Sequence, residues 1–151
     1  MEDADVEQAF LTQQNVALMR EAYERIGTQG FTAVAWELID DDVVVRDRPE
    51  IPDPRTYHGH AGVLEALASS DESFEQFGMD MEDLIGVGDR HVVVVLRMHG
   101  RGRGSGVPVE ERIAHLWTVR DGKAAEMQVY SDPDRALRDA RAAGGRHAAS
   151  G

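Results

Sequence analysis

Apolar and polar residues alternate with a period of two from Glu110 to Asp132, in the stretch EERIAHLWTVRDGKAAEMQVYSD. That period belongs to a half-buried strand. Ile113, His115 and Trp117 fall on one side, with Ala114, Leu116 and Thr118 on the other. Asp121-Gly122 breaks the pattern as a tight turn, because glycine accepts the positive φ that two-residue hairpins demand. The second arm, Ala124 to Tyr130, continues the large face with Met127 and Val129. One face of the hairpin therefore carries His115, Trp117, Met127 and Val129. A two-stranded hairpin cannot bury such a face alone, so the rest of the chain must cover it.

Upstream, the period changes to that of a helix. Val6, Phe10, Val16, Met19, Tyr23 and Ile26 predict a first helix over Val6–Ile26, ended by Gly27 and Gly30. Phe31–Ile39 reads as a second, short helix that buries Val34, Ala35, Leu38 and Ile39. Asp40-Asp41-Asp42 reads as an acidic turn. Val43–Arg46 is a short strand ended by Asp47. Pro49, Pro52 and Pro54 make Arg48–Tyr57 a loop, since proline cannot donate to a strand ladder. A third helix is expected over Ala61–Ser69, then a polar connection to Gln76. Strands follow over Phe77–Ile85 and His91–Gly100, the second with four consecutive valines. On that strand Leu96 and Met98 share one face, with Arg97 and His99 on the other, and His91 and His99 are expected on the solvent side. Pro133–Ala143 is a terminal helix, and residues 144–151 are expected as a disordered tail. Helices first and strands last predict an α+β domain over residues 1–143, with three N-terminal helices packed on the concave face of a curved antiparallel sheet. Such a cone can enclose a pocket.

Charge and composition narrow the partners. The chain has 151 residues, no cysteine and a net charge of -12. The charge argues against nucleic acid or an anionic membrane as a partner, and the missing thiols exclude thiolate chemistry. The opening MEDADVEQAF is acidic and amphipathic, unlike a secretion signal. No apolar run approaches the roughly 18 residues of a membrane span, so a cytoplasmic location is expected. GRGRGSG (Gly100–Gly106) leads into a strand rather than a helix, which removes the phosphate-loop reading. His58 and His60 flank a glycine, but no third ligand stands at useful spacing. No metal is expected.

Four motifs, in this order and spacing, resemble a nuclear-transport-factor-2-like domain of the SnoaL-like group: DDDVVVRD (40–47), TYHGHAGV (56–63), GRGRGSGVPVE (100–110) and AHLWTVRDGKAAEMQVYSD (114–132). The resemblance covers about residues 10 to 132 and implies the cone-shaped fold and a homodimer through the outer sheet face. It implies three activities to compare, since one fold hosts many functions. In the ketosteroid isomerase pattern, the helix tyrosine falls on Tyr23, the base on Asp47, and the late-strand acid on His115. SnoaL-like cyclases and limonene-epoxide-hydrolase-like enzymes place a catalytic aspartate on the last strand, where this chain has Val129. The hydrolases' Arg-x-Asp falls on Leu96 and Met98, or with a one-residue slip on Arg97 and His99.

The residues themselves carry a matching chemistry. Asp47 in an apolar cone would be a general base with its pKa raised by desolvation. Tyr23 would donate to a developing oxyanion. His115, as neutral imidazole, both donates and accepts. Trp36, Tyr57, Leu96, Met98, Trp117, Met127 and Val129 are the expected ligand-binding walls. The expected function is binding of a small apolar carbonyl compound, with isomerisation or cyclisation by proton transfer and no cofactor. A non-catalytic ligand-binding or dimerisation module and an epoxide-hydrolase-like enzyme are the alternatives.

Overall fold

A computed structural model describes residues 2–30 and 32–150; for Glu2, Asp71 and residues 144–150 it describes the backbone alone. The hairpin forms as its turn residues require. Asp121 (φ 51°) and Gly122 (φ 74°) are both left-handed, the geometry that matches strand twist across a two-residue loop. They join β5 (Pro108–Arg120) to β6 (Lys123–Tyr130), with Arg120 opposite Lys123. The remaining elements are α1 (Glu2–Gln29), β1 (Ile39–Arg46), β2 (Thr56–His58), α2 (Gly59–Ser73), β3 (Phe74–Val87), β4 (His91–Gly102) and α3 (Pro133–Ser150). The six strands form one sheet in the order β2-β1-β6-β5-β4-β3.

Several features depart from the pattern reading, among them a short strand β2 (Thr56–His58) at the end of the proline loop and, in place of the polar connection to Gln76, α2 running to Ser73 with β3 beginning at Phe74. First, the sheet is mixed, because β1 runs parallel to β6 while the other neighbours are antiparallel. A parallel pair needs a long crossover, and β1 is separated from β6 by α2 and three long strands. Second, no helix forms over the described part of 31–39; Phe31 lies outside the described residues. The segment makes tight turns, with Ala33 N–H donating to Gly30 O (3.0 Å) and Trp36 N–H to Val34 O (2.9 Å), and then one 3₁₀ turn at Trp36–Leu38. It has to reverse α1 into β1, and so short a helix has little stability of its own. Third, the acidic run Asp40–Asp42 lies within β1, whose register with β6 shifts between Ile39 and Val44.

The helices are not all N-terminal, nor all on one face. The four valines explain why. Val92 and Val94 point into one core with Met19, Val43, Val45, Leu96, Ile113, Trp117 and Met127. Val93 and Val95 point into a second with Ala114, Tyr130, Ala136 and Ala140. A continuous apolar run of this kind is a strand buried on both faces, so both faces need cover. α1 and α2 cover the inner face. α3 covers the outer one with Ala136 and Ala140, four residues apart on one side of the helix. The Tyr130 hydroxyl donates to Asp139 Oδ2 at 2.7 Å and pins α3 there. Burial, with that carboxylate beside it, raises the Tyr130 pKa. α3 thus lies across part of the face on which the resemblance places a dimer contact.

α3 is helical to Ser150, beyond the Ala143 limit read from the pattern. The disordered-tail reading of 144–151 falls on Gly151 and on side chains that lie outside the described residues. α1 also runs further than its periodicity, and its two earliest apolar residues do not join the core: Val6 and Phe10 are exposed. Buried Asn15 instead ties α1 to the β3–β4 turn, its Nδ2 donating to Asp89 O at 2.9 Å. Gly86 of β3 faces α1 closely; a Cβ there would stand 2.5 Å from Thr12 Cγ2, so glycine at that point lets the helix seat. His91, read as a solvent-side residue, is buried. No described helix is long and apolar enough to cross a membrane.

Candidate functional site

α1, the 34–39 segment and α2 stand off the inner face of the sheet, and a cavity of about 110 Å³ remains between them. Met19, Val45, Val63, Leu67, Met79 and Met127 are among the apolar residues of its wall. The lining side chains with N–H or O–H groups are Tyr23, His115 and Trp117. Alternation along β5 places the last two on the same side, as the hairpin pattern predicts. The helical period of α1 brings Tyr23 down onto them.

These three side chains form one chain of hydrogen bonds. Trp117 Nε1–H donates to the Tyr23 hydroxyl oxygen at 2.7 Å. Tyr23 Oη lies 2.6 Å from His115 Nδ1. An indole nitrogen can only donate. If His115 carried its proton on Nδ1, Tyr23 would receive two hydrogen bonds and its own hydrogen would be left without an acceptor. The satisfied arrangement is Tyr23 donating to Nδ1, which puts the imidazole proton on Nε2. Among the described residues Nε2 makes no hydrogen bond. The group His115 has left for a ligand is therefore a single N–H donor.

Burial sets the charge state. It pushes the His115 pKa down to about 4, because a charged imidazolium is disfavoured away from water. It raises the Tyr23 pKa, with the Trp117 hydrogen bond acting more weakly the other way. At neutral pH the chain Trp117→Tyr23→His115 is uncharged throughout. Hydrogen bonds in such a chain polarise one another in a low-dielectric site.

Asp47 is not brought into this cluster. It follows Val45 by two residues, just past the end of β1, and is not part of the cavity lining. Its Oδ2 accepts Arg55 N–H at 3.0 Å, and its own N–H donates to Arg55 O at 3.0 Å. It closes the proline-rich loop at the end of β1. Gln128 Nε2–H also donates to its backbone carbonyl, at 2.8 Å. Arg48 does not pair with it, being bonded to Glu111 and to Ser131 Oγ.

The expected walls divide between places. Trp117 and Met127 line the cavity. Tyr57, Leu96, Met98 and Val129 pack in or against the same core cluster but are not part of the lining. Trp36 lines a second, outer cavity. Val129 stands directly across from His115 in the β5–β6 register, so the strand position that carries an acid in the resembled cyclases and hydrolases is apolar beside the imidazole. His60 donates from Nε2 to Ile39 O at 3.1 Å, and its ring lies 4.9 Å from Trp36. Among the described residues no three His, Asp or Glu side chains could share a metal ion. Sequence reasoning missed Met19, Val45, Val63 and Leu67 as wall residues, because several elements must meet before they share a space. It also missed Trp117 as a donor, although its place two residues from His115 on one face was the available signal.

The chain belongs to the SnoaL-like domain family, which matches residues 19–127. Solved structures agree on the fold. A nuclear-transport-factor-2-like protein from Burkholderia thailandensis superposes with a TM-score of 0.68 at 21% identity, covering 83% of this chain and 95% of that one. TerC, co-crystallised with polyporic acid, gives 0.65 at 23% identity over 85% of this chain and 98% of its own. A protein of ketosteroid-isomerase-like fold from Catenulispora acidiphila, in complex with trimethylamine, gives 0.55 at 21% identity over 63% and 70%. No curated protein matches the sequence.

Proposed function

We propose that this protein binds a small, mostly apolar carbonyl compound in the inner cavity and polarises its oxygen. The observation that carries the reading is the hydrogen-bond chain from Trp117 through Tyr23 to His115. It leaves Nε2 of His115, a residue of the otherwise mostly apolar cavity lining, as a neutral N–H donor. A neutral imidazole held this way acts as an electrophile toward a carbonyl by donating its N–H to the oxygen. The same donor would stabilise an enolate during isomerisation or ring closure.

Turnover also needs a base. Asp47 is the nearest in kind to the family pattern, and it would serve only by giving up its Arg55 amide partner and turning toward the cavity. That commitment to Arg55 favours a second reading, a ligand-binding module without turnover. An epoxide-hydrolase-like activity is the least supported, since among the described residues no carboxylate is in the lining and Val129 stands beside His115.

The test uses His115→Asn. Asparagine Oδ1 can take the place of Nδ1 as acceptor for Tyr23, while the cavity donor is lost. Cyclopent-2-enone binding, followed by the ligand's NMR signals, should weaken about five- to tenfold, the value of one net hydrogen bond. Equal binding by both proteins would sink the reading. Asp47→Asn separates its two forms: loss of enone isomerisation with binding intact marks an enzyme, and absence of turnover in the unaltered protein marks a module.

A further inference from the structure

The inner cavity is small for a ligand site. About 110 Å³ is well below the roughly 300–1,000 Å³ of typical small-molecule pockets. A second cavity of about 310 Å³ lies against it, lined by Thr32, Val34, Trp36, Leu64, Leu67, Ala68 and Phe77. Val34 and Leu67 line both. These two side chains are a shared wall, contributed by the turn after α1 and by α2. Leu64 is 56% exposed, one of few large apolar side chains left in water. In the same lining stand two half-buried aromatic residues, Trp36 and Phe77. Trp36 is held in place by the His60 ring at 4.9 Å, and His60 by the Ile39 carbonyl. The outer cavity therefore has one fixed aromatic wall.

We infer that the ligand has two parts: a compact carbonyl-bearing head in the inner cavity and a flat apolar group, aromatic or alicyclic, in the outer cavity, joined past Val34 and Leu67. This rests on the proposed function for the head and goes beyond it for the rest. The chemistry divides accordingly. The inner cavity offers the hydrogen bond that fixes orientation, while the outer offers apolar and aromatic surface and so supplies size selection. Leu64 and Ala68, one helical turn apart on α2, stand at the outer end.

The test compares cyclopent-2-enone, the head alone, with 3-phenylcyclopent-2-enone, the head with an apolar group. Titration calorimetry is run on the unaltered protein, Ala68→Phe, Leu64→Arg and His115→Asn. Ala68 and Leu64 are exposed on α2, so both substitutions are compatible with folding, and circular dichroism checks it. The phenyl compound should bind the unaltered protein roughly tenfold or more tighter than the head alone, the worth of burying one aromatic group. Ala68→Phe fills the outer cavity and Leu64→Arg places a charge at it, so each should abolish that preference while leaving the head's affinity unchanged. Equal affinity for the two compounds, or a preference that survives both α2 substitutions, overturns the two-part ligand. In that case a loss of head binding in His115→Asn still leaves the proposed function standing. Binding that ignores His115→Asn, or no binding of either compound, overturns both.

Discussion

Acidification probes the enclosure of His115 directly. The imidazole titrates near 6.5 in an unfolded chain and at about 4 in the fold, because burial disfavours its charge. Its folded pKa lies below the unfolded one. The unfolded chain therefore binds more protons between these values, and stability falls as pH falls. The contribution is complete above about pH 6.5 and lost progressively toward pH 4. At about 1.4 kcal/mol per pH unit of displacement, the full loss is roughly 3 kcal/mol, most of it gone at pH 4.5. That is a large share of the roughly 5–15 kcal/mol that holds a domain together. Surface carboxylates titrate in the same range, so the comparison must remove them. Urea unfolding at pH 7.5, 6.0 and 4.5 is measured for the unaltered protein and for His115→Asn, which shares every carboxylate but cannot titrate at that position. The unaltered protein should lose roughly 2–3 kcal/mol more than the variant over this range. Parallel losses in the two proteins would mean that His115 gains its proton as freely in the fold as out of it, and the enclosed neutral donor would be wrong.

Two further outcomes follow from the packing. Tyr23→Phe removes the middle of the hydrogen-bond chain and leaves both Trp117 Nε1–H and His115 Nδ1 buried without their partner. It should cost about 2–4 kcal/mol in denaturant unfolding; a loss below about 0.5 kcal/mol, the level of an ordinary surface substitution, would show that the chain is not closed to water. Ala140→Leu overfills the seam between α3 and the sheet, where Ala140 is fully buried. It should cost about 1–3 kcal/mol without changing enone affinity, because α3 packs on the face opposite the cavity; weakened binding would show that the two cores are coupled.

Much of the sheet was legible because its rules are local. Asp121-Gly122 specifies a two-residue turn through φ alone. Alternation along β5 and β6 then puts His115, Trp117, Met127 and Val129 on one face, where the register indeed sets His115 opposite Val129 and Trp117 opposite Met127. The expected helix at 31–39 fails for the opposite reason. Its apolar spacing suits a helix, but the path from α1 to β1 needs a reversal there. Local preference yields to chain geometry when the segment is short.

The site was legible in its parts. Tyr23 and His115 were both readable as proton-handling residues, yet they are 92 positions apart in sequence. Only the packing of α1 on the sheet makes them partners, and only the Trp117 N–H then decides which imidazole nitrogen keeps the proton. Asp47 shows the converse. Its place at the end of a strand is plain in the sequence, but a carboxylate there has a choice between the cavity and the Arg55 amide, and the folded loop supplies the amide. The sequence by itself determined the hairpin, the long strands and which of their side chains share a face, because those depend on neighbours along the backbone. The tertiary structure decided which faces meet, what state the buried histidine holds and where α3 lies, because each depends on contacts that form only once distant elements exclude water together.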